Sequence, residues 1–167
     1  YKIVNTKELQ EKGYLATLNI KVLLLKHEPQ VFDTYEDEVQ YLIGHEKRNK
    51  FIKNLSWDLK GNTLILYSRV ATHGEVLYDL INTNERKIFF VHGGVDVEER
   101  ESVRQITEEQ NDAIIIASFG TFSTGINIKN LHNVIFASPS KSRIRTLQSI
   151  GRVLRKSKDK LNATLYD

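Results

Sequence analysis

Near its C-terminus the chain carries Gln148, Gly151, Arg152 and Arg155 within the stretch LQSIGRVLRKS, residues 147–157. An arginine presents a planar fork of donors and keeps its charge at neutral pH, so two beside an amide can surround a phosphate. At 100° per residue, Arg145, Gln148, Arg152 and Arg155 share one stripe of a helix spanning 143–156. Ile144, Leu147, Ile150 and Leu154 share another. A glycine inside a helix costs about 1 kcal/mol against alanine. Beside the apolar stripe, Gly151 would let another backbone approach closely. The same region also reads as a basic solvated face, since Lys141, Arg143, Arg145, Arg152, Arg155, Lys156, Lys158 and Lys160 stand against one acid, Asp159. The fixed Gln-x-x-Gly-Arg-x-x-Arg spacing, placed after a strand-to-helix loop, favours phosphate recognition.

A second polar stretch, GTFSTGIN (120–127), spaces Gly120 and Gly125 like the glycines of a phosphate-binding P-loop. Ile126 and Asn127 stand where that loop needs Lys and Ser/Thr, so no cation is offered to the β- and γ-phosphates. No other stretch qualifies, and no Asp-Glu pair follows a strand in the manner of a Mg²⁺-holding element. The chain is therefore expected not to hydrolyse a nucleotide by itself. Cysteine is absent, which excludes disulfides and thiol chemistry. The five histidines have no ligand spacing, against a structural zinc. His73 and His92 read as loop or capping residues rather than catalysts.

The elements that must position these residues alternate regularly from about residue 63. Apolar, β-rich runs occur at 63–67, 87–94, 113–119, 133–139 and 162–167, with helical patterns at 74–83, 95–110 and 143–156. Glu98, Glu99 and Glu101 suit the positive end of the second helix. Continuous apolar strands joined by helices imply right-handed βαβ units and a parallel sheet covered on both faces. Ligands then gather at the carboxyl ends of the strands, in the loops SRVATHG, HGGVD, FGTFSTGIN and SPSKSR. Upstream, 20–27 reads as a strand, 34–44 as a helix ending at Gly44, and 45–59 as a helix with Phe51, Ile52, Leu55 and Leu59 on its apolar side.

The 167 residues, 40% hydrophobic and 27% charged, suffice for one soluble domain with a sizeable core. No apolar run approaches the roughly 18–20 residues of a membrane helix, so no membrane partner is expected. The opening YKIVNTKELQEKG has no apolar leader, and the chain contains no Met. It reads as a piece of a longer polypeptide, with 1–18 a connector from a preceding domain and 19–167 the domain proper.

IIIASFGTFSTGIN followed by LQSIGRVLRKS resembles motifs V and VI of superfamily 2 helicases and translocases. TLILYSR resembles motif IV, and KIFFVHGG the strand and loop after it. The N-terminal segment, including NTKELQEKGYLATLNIKVLLL, is similar to the entry into the second motor domain of UvsW-type recombination and branch-migration helicases of phages. The resemblance implies an α/β fold of the RecA-like, P-loop NTPase type, forming the second motor domain of a helicase. It implies ATP in a cleft shared with an N-terminal RecA-like domain of the same polypeptide, which would hold most of the Mg²⁺. Carried over, Arg152 and Arg155 would act as arginine fingers on the γ-phosphate. Gln148 would bind or sense phosphate, and Gly125 and Asn127 would lie near the ribose. Many relatives have Asp where Asn127 stands. Ser68, Arg69, Gly93, Thr121 and Lys141, at the tops of strands, would meet the phosphate backbone of branched or duplex DNA without reading bases. A phage helicase would act in the host cytoplasm. Two other readings remain open: the translocase subunit of a restriction-type enzyme, and a non-hydrolytic nucleic-acid-binding α/β module whose basic helix contacts strand phosphates.

Overall fold

The computed structural model describes residues 6–83, 85–125, 127–156 and 160–167; the first residues of the expected connector and the end of LRKS fall outside these. Six strands form a single sheet in the order β1-β6-β5-β2-β4-β3, every neighbouring pair parallel. They are β1 (Thr17–Lys21), β2 (Thr63–Tyr67), β3 (Ile88–Val91), β4 (Ile114–Ser118), β5 (Asn133–Phe136) and β6 (Asn162–Tyr166). The helices are α1 (Thr6–Glu11), α2 (Tyr35–Gly44), α3 (Glu46–Asp58), α4 (Glu75–Ile81), α5 (Val97–Glu109), α6 (Phe119–Gly125) and α7 (Arg143–Val153).

Parallel strands bury both faces, and alternate side chains divide between two cores. Leu64, Leu66, Ile115, Ala117 and Val134 join Phe119, Phe122 and Val153 on one face. Ile65, Tyr67, Ile114, Ile116 and Ile135 join Ile52, Leu77 and Ile81 on the other. The unbroken apolar runs of the sequence follow directly from this two-sided burial. Of the side chains expected on the apolar side of α3, Ile52 is buried and Phe51, Leu55 and Leu59 are half-buried.

Local chemistry sets the element ends. Thr34 and Asp37 form a capping box on α2, and Asp96 accepts from the backbone of Glu99 at the start of α5. His45 closes the gap between α2 and α3 by accepting from the backbone N–H of Arg48 at 3.2 Å. Gly74 ends a π-helical turn (Val70–Gly74) that leads into α4. A Cβ there would sit 2.5 Å from the Tyr67 ring, so only glycine permits this approach.

Three sequence expectations are corrected. The strand expected at 20–27 lies at Thr17–Lys21, pairing residue for residue with Asn162–Tyr166. The division expected after residue 18 therefore falls inside β1, and Leu15 also bridges Arg155. The motif 120–127, expected as a loop, is mostly helix α6. Phe119 and Phe122, one turn apart, both enter the core, and this shared burial outweighs the Gly and Ser content. The C-terminal helix stops at Val153, not 156, because Leu154 and Arg155 turn to meet the segment before β1.

At the amino edge of the sheet the buried Asn62 side chain donates to the carbonyls of Thr107 (2.9 Å), Gln110 (2.7 Å) and Asn130 (2.8 Å). It accepts from the backbone of Ala113 at 2.9 Å. One amide thus ties α5, β4 and the segment before β5 to the start of β2. Arg86 performs a similar task for α3, donating to the carbonyls of Ser56, Trp57 and Leu59 while pairing with Asp112. Asn62→Ala leaves buried groups unpaired and is expected to lower the unfolding free energy by about 2–4 kcal/mol in urea titrations. A loss below about 1 kcal/mol would show that these contacts are dispensable.

Candidate functional site

The carboxyl ends of three adjacent strands, β5, β2 and β4, bring Ser68, Arg69, Thr121 and Lys141 to one edge. β2 runs into Ser68 and Arg69, β4 ends at Ser118 and passes into α6, and β5 leads through Ser138 to Lys141 and α7. The chain proceeds from β2 to β3 and β4 on one side, then crosses to β5 and β6 on the other. That divergence is a topological switch point, the usual ligand position in such sheets.

The cap of α6 is built by Ser118. Its hydroxyl accepts from the backbone of Thr121 at 3.2 Å and donates to the Thr121 hydroxyl at 2.8 Å. Thr121 is accordingly buried, 6% exposed, and its hydroxyl serves the turn, not an outward contact. Thr121, read from the sequence as a nucleic-acid contact, thus has its hydroxyl engaged within the turn. The signal in the sequence was the Ser-x-x-Thr spacing after an apolar run, a cap pattern rather than a ligand pattern.

Arg152 and Arg155 both converge on this segment. Arg152 donates to the carbonyl of Ser123 at 2.7 Å, and Arg155 to the side-chain oxygen of Asn127. Gly125 closes α6 between those two anchors. Burial lowers the proton affinity of Arg152, and the charge of Arg155 lowers it further. Two guanidiniums are thus held in one another's positive field, an arrangement that an anion relieves. Arg155 is exposed and Arg152 half-buried.

Gln148 is exposed on α7. The side chains of Ile144 and Arg145 fall outside the described residues. Leu147, expected in the core-facing stripe, is 55% exposed. The buried face carries Ser149 and Val153 instead, with Ile150 half-buried, because Val153 enters the core beside α6. Gly151 is exposed, and a Cβ there would meet nothing within 4 Å. The close backbone approach expected at this glycine does not occur among the described residues.

Of the other nominated residues, Ser68 and Gly93 are exposed, the latter with open space around it. Arg69 pairs with Glu36, and the Lys141 ammonium lies 3.5 Å from the centroid of the Tyr35 ring. The N-terminus of α2 therefore holds both cations at the edge, a contact that sequence spacing gave no means to find. Gly93 stands on the β3 loop, with two strands between it and β5.

Sequence reasoning also missed a buried polar relay beneath this edge. His73, expected as a loop or capping residue, is fully buried. Its Nδ1 lies 2.9 Å from the Ser138 hydroxyl and its Nε2 3.3 Å from Asn49 Oδ1. The Ser138 hydroxyl also accepts from the backbone of Ser68 at 3.1 Å, and Asn49 donates to the carbonyl of Ile43. The Asn49 oxygen takes a proton from Nε2, and with the imidazole kept neutral by burial, Nδ1 accepts from the Ser138 hydroxyl. The Ser-His-Asn composition resembles a nucleophilic triad, but all three residues are buried, so the relay fastens the β2 and β5 ends to α3. His92 accepts from the backbone of Gly94 at 3.1 Å, a turn role.

Burial, and then the nearby charge of Arg48, lower the His73 pKa to about 4. A base with depressed affinity in the fold takes its proton first in the unfolded chain. Its contribution is therefore complete above about 6.5 and is lost as pH falls toward 4, amounting to about 3 kcal/mol. Between pH 7 and 4 the wild type should lose more unfolding free energy than His73→Gln, by about that amount. Parallel curves for the two proteins would refute the buried neutral imidazole.

Comparison with known proteins follows the same elements. Residues 46–157 match the model of the helicase conserved C-terminal domain. The chain is 39% identical over its whole length to the ATP-dependent DNA helicase uvsW of Enterobacteria phage T4, of which it spans 35%. The crystal structure of T4 UvsW superposes with a TM-score of 0.75 at 35% identity, covering 93% of this chain and 33% of that one. A likeness of fold alone extends to the E. coli DEAD-box protein SrmB, with a TM-score of 0.58 at 15% identity over 72% of this chain and 70% of that one. The chain thus spans about a third of the curated relative it matches along its whole length. Among the described residues, no helix is long and apolar enough to cross a membrane.

Proposed function

The chain belongs to the helicase conserved C-terminal domain family, with the RecA-like fold of the second motor domain of superfamily 2 helicases, and from that premise we propose that it supplies arginine fingers to an interdomain ATP site. The N-terminal RecA-like domain of the same polypeptide would supply the other half. In this reading residues 1–18 serve as the connector, and the parent protein is an ATP-driven helicase or translocase on branched or duplex DNA.

One observation carries the reading: Arg152 and Arg155 are both anchored on the α6 segment, within each other's field. Held that way, the two cations are fixed before any charge develops on a transferring γ-phosphoryl group, so little reorganisation is needed when it does. Gln148, exposed one turn earlier, adds an amide donor for phosphate oxygens. Gly125 and Asn127 lie toward the ribose, where Asn127 orients Arg155 and offers an amide in place of a carboxylate. The described edge presents guanidiniums and amides, a poor donor set for Mg²⁺, which demands oxygen ligands and favours carboxylates. Its ligands are therefore assigned mainly to the N-terminal domain.

Ser68, Arg69, Gly93 and Lys141 form the proposed nucleic-acid side. Their hydroxyl, backbone and cationic groups contact phosphates irrespective of sequence, as a motor requires. Phosphates would replace Glu36 as the partner of Arg69. Closing of the two domains on ATP, and opening after hydrolysis, would then change their relative grip on the strand.

In the full-length parent, Arg152→Ala and Arg155→Ala should each lower nucleic-acid-stimulated kcat by about 10²–10³-fold with little change in nucleic-acid affinity. Loss of DNA binding with normal turnover would instead assign the basic helix to the strand. The isolated 167 residues should show negligible ATPase activity and weak, salt-sensitive nucleic-acid binding. Robust stimulated turnover by this piece alone would contradict a shared site.

A further inference from the structure

Lys160 is 1% exposed and stands just before β6, where the proposed function assigns it no task. Its ammonium donates to the carbonyl of Arg155 at 2.8 Å, to that of Lys129 at 3.0 Å, and to that of Val153. An ammonium has three protons, and three backbone acceptors meet them. Val153 is the last residue of α7, so its carbonyl belongs to the orphan acceptors that a helix leaves at its negative end.

The three carbonyls belong to the two segments that carry the candidate fingers. Val153 directly follows Arg152, and Arg155 has its own carbonyl held. Lys129 lies two residues beyond Asn127, whose side chain accepts from Arg155. The ammonium and the Arg155–Asn127 bond therefore close one ring joining the end of α7 to the segment after α6. We propose that Lys160 is a positioning residue for the arginine fingers, clamping both segments through their backbone so that Arg155 is presented at a fixed angle.

The clamp is charged and dry. Burial lowers the Lys160 pKa to about 8, so the side chain keeps its proton at neutral pH despite the loss of water. Its charge also contributes, after burial, to holding the nearby His132 imidazole below its ordinary pKa. A buried cation is a costly way to end a helix that water could have terminated. What it adds is a single point that fixes three carbonyls of two segments at once. The ammonium touches no proposed substrate atom and acts only through the residues it holds.

This inference rests on the finger reading, and a double-mutant cycle in the full-length protein tests the two separately. Nucleic-acid-stimulated ATPase kcat and KM for ATP are measured for Lys160→Met, Arg155→Ala, the double variant and Lys160→Arg, at a temperature where circular dichroism shows each folded. Lys160→Met should lower kcat by about tenfold or more with KM changed little, since fingers act in the transition state. In the Arg155→Ala background the same substitution should cause almost no further loss, and Lys160→Arg should recover most of the rate. Normal kcat in Lys160→Met, or an equal factor of loss in both backgrounds, overturns the positioning role. Normal kcat in Arg155→Ala overturns the finger reading and this inference together. Should Lys160→Met fail to fold, Lys160→Gln takes its place in the same cycle, with the same outcomes deciding.

Discussion

A parallel sheet covered on both faces leaves polar chemistry only one kind of place to go, the ends of its strands. The central strands are committed to burial, from Leu64–Leu66 to Ile114–Ala117 beside them. Ser68, Arg69 and Lys141 therefore gather on the carboxyl edge, where helices begin and loops turn. The amino edge is tied by Asn62 and Arg86.

At the carboxyl edge, three serines mark the ends of three adjacent strands, and each is put to structural use. Ser118 caps α6, Ser138 bridges His73 to the β2 end, and Ser68 supplies the backbone N–H that Ser138 receives. The neutral imidazole of His73 is possible only because both of its nitrogens are partnered in a site that excludes water. This relay keeps the β2 and β5 ends in register with α3. The exposed Ser68 and Lys141 are thereby offered from a rigid base rather than from free loops.

Like charges in one place need a reason. Arg152 and Arg155 are set together by hydrogen bonds to Ser123 and Asn127, against their mutual repulsion. Lys160 adds a third cation, buried beneath the same segment. The local excess of positive charge is held by backbone carbonyls and one amide, partners that remove no net charge. Such a field is suited to a multiply charged anion, and it accounts for the net +3 of the chain being concentrated where a triphosphate is proposed to bind.

The sequence alone determined the parallel sheet with helices on both faces, five of its strand positions to within a few residues, and the nomination of Gln148, Arg152 and Arg155. Apolar runs, helical periods and charge spacing are local properties, and they register one element at a time. It could not show that 120–127 is mostly helix, because that depends on Phe119 and Phe122 finding a core built by distant strands. Nor could it show that α7 turns Ser149 and Val153 inward and leaves Leu147 out, since the stripe spanned by apolar residues is wider than the face the sheet covers. His73, Asn49 and Lys160 were decided entirely by tertiary structure. Their partners lie far away in sequence or are backbone groups, and an identical side chain on a solvated surface would carry the same letter.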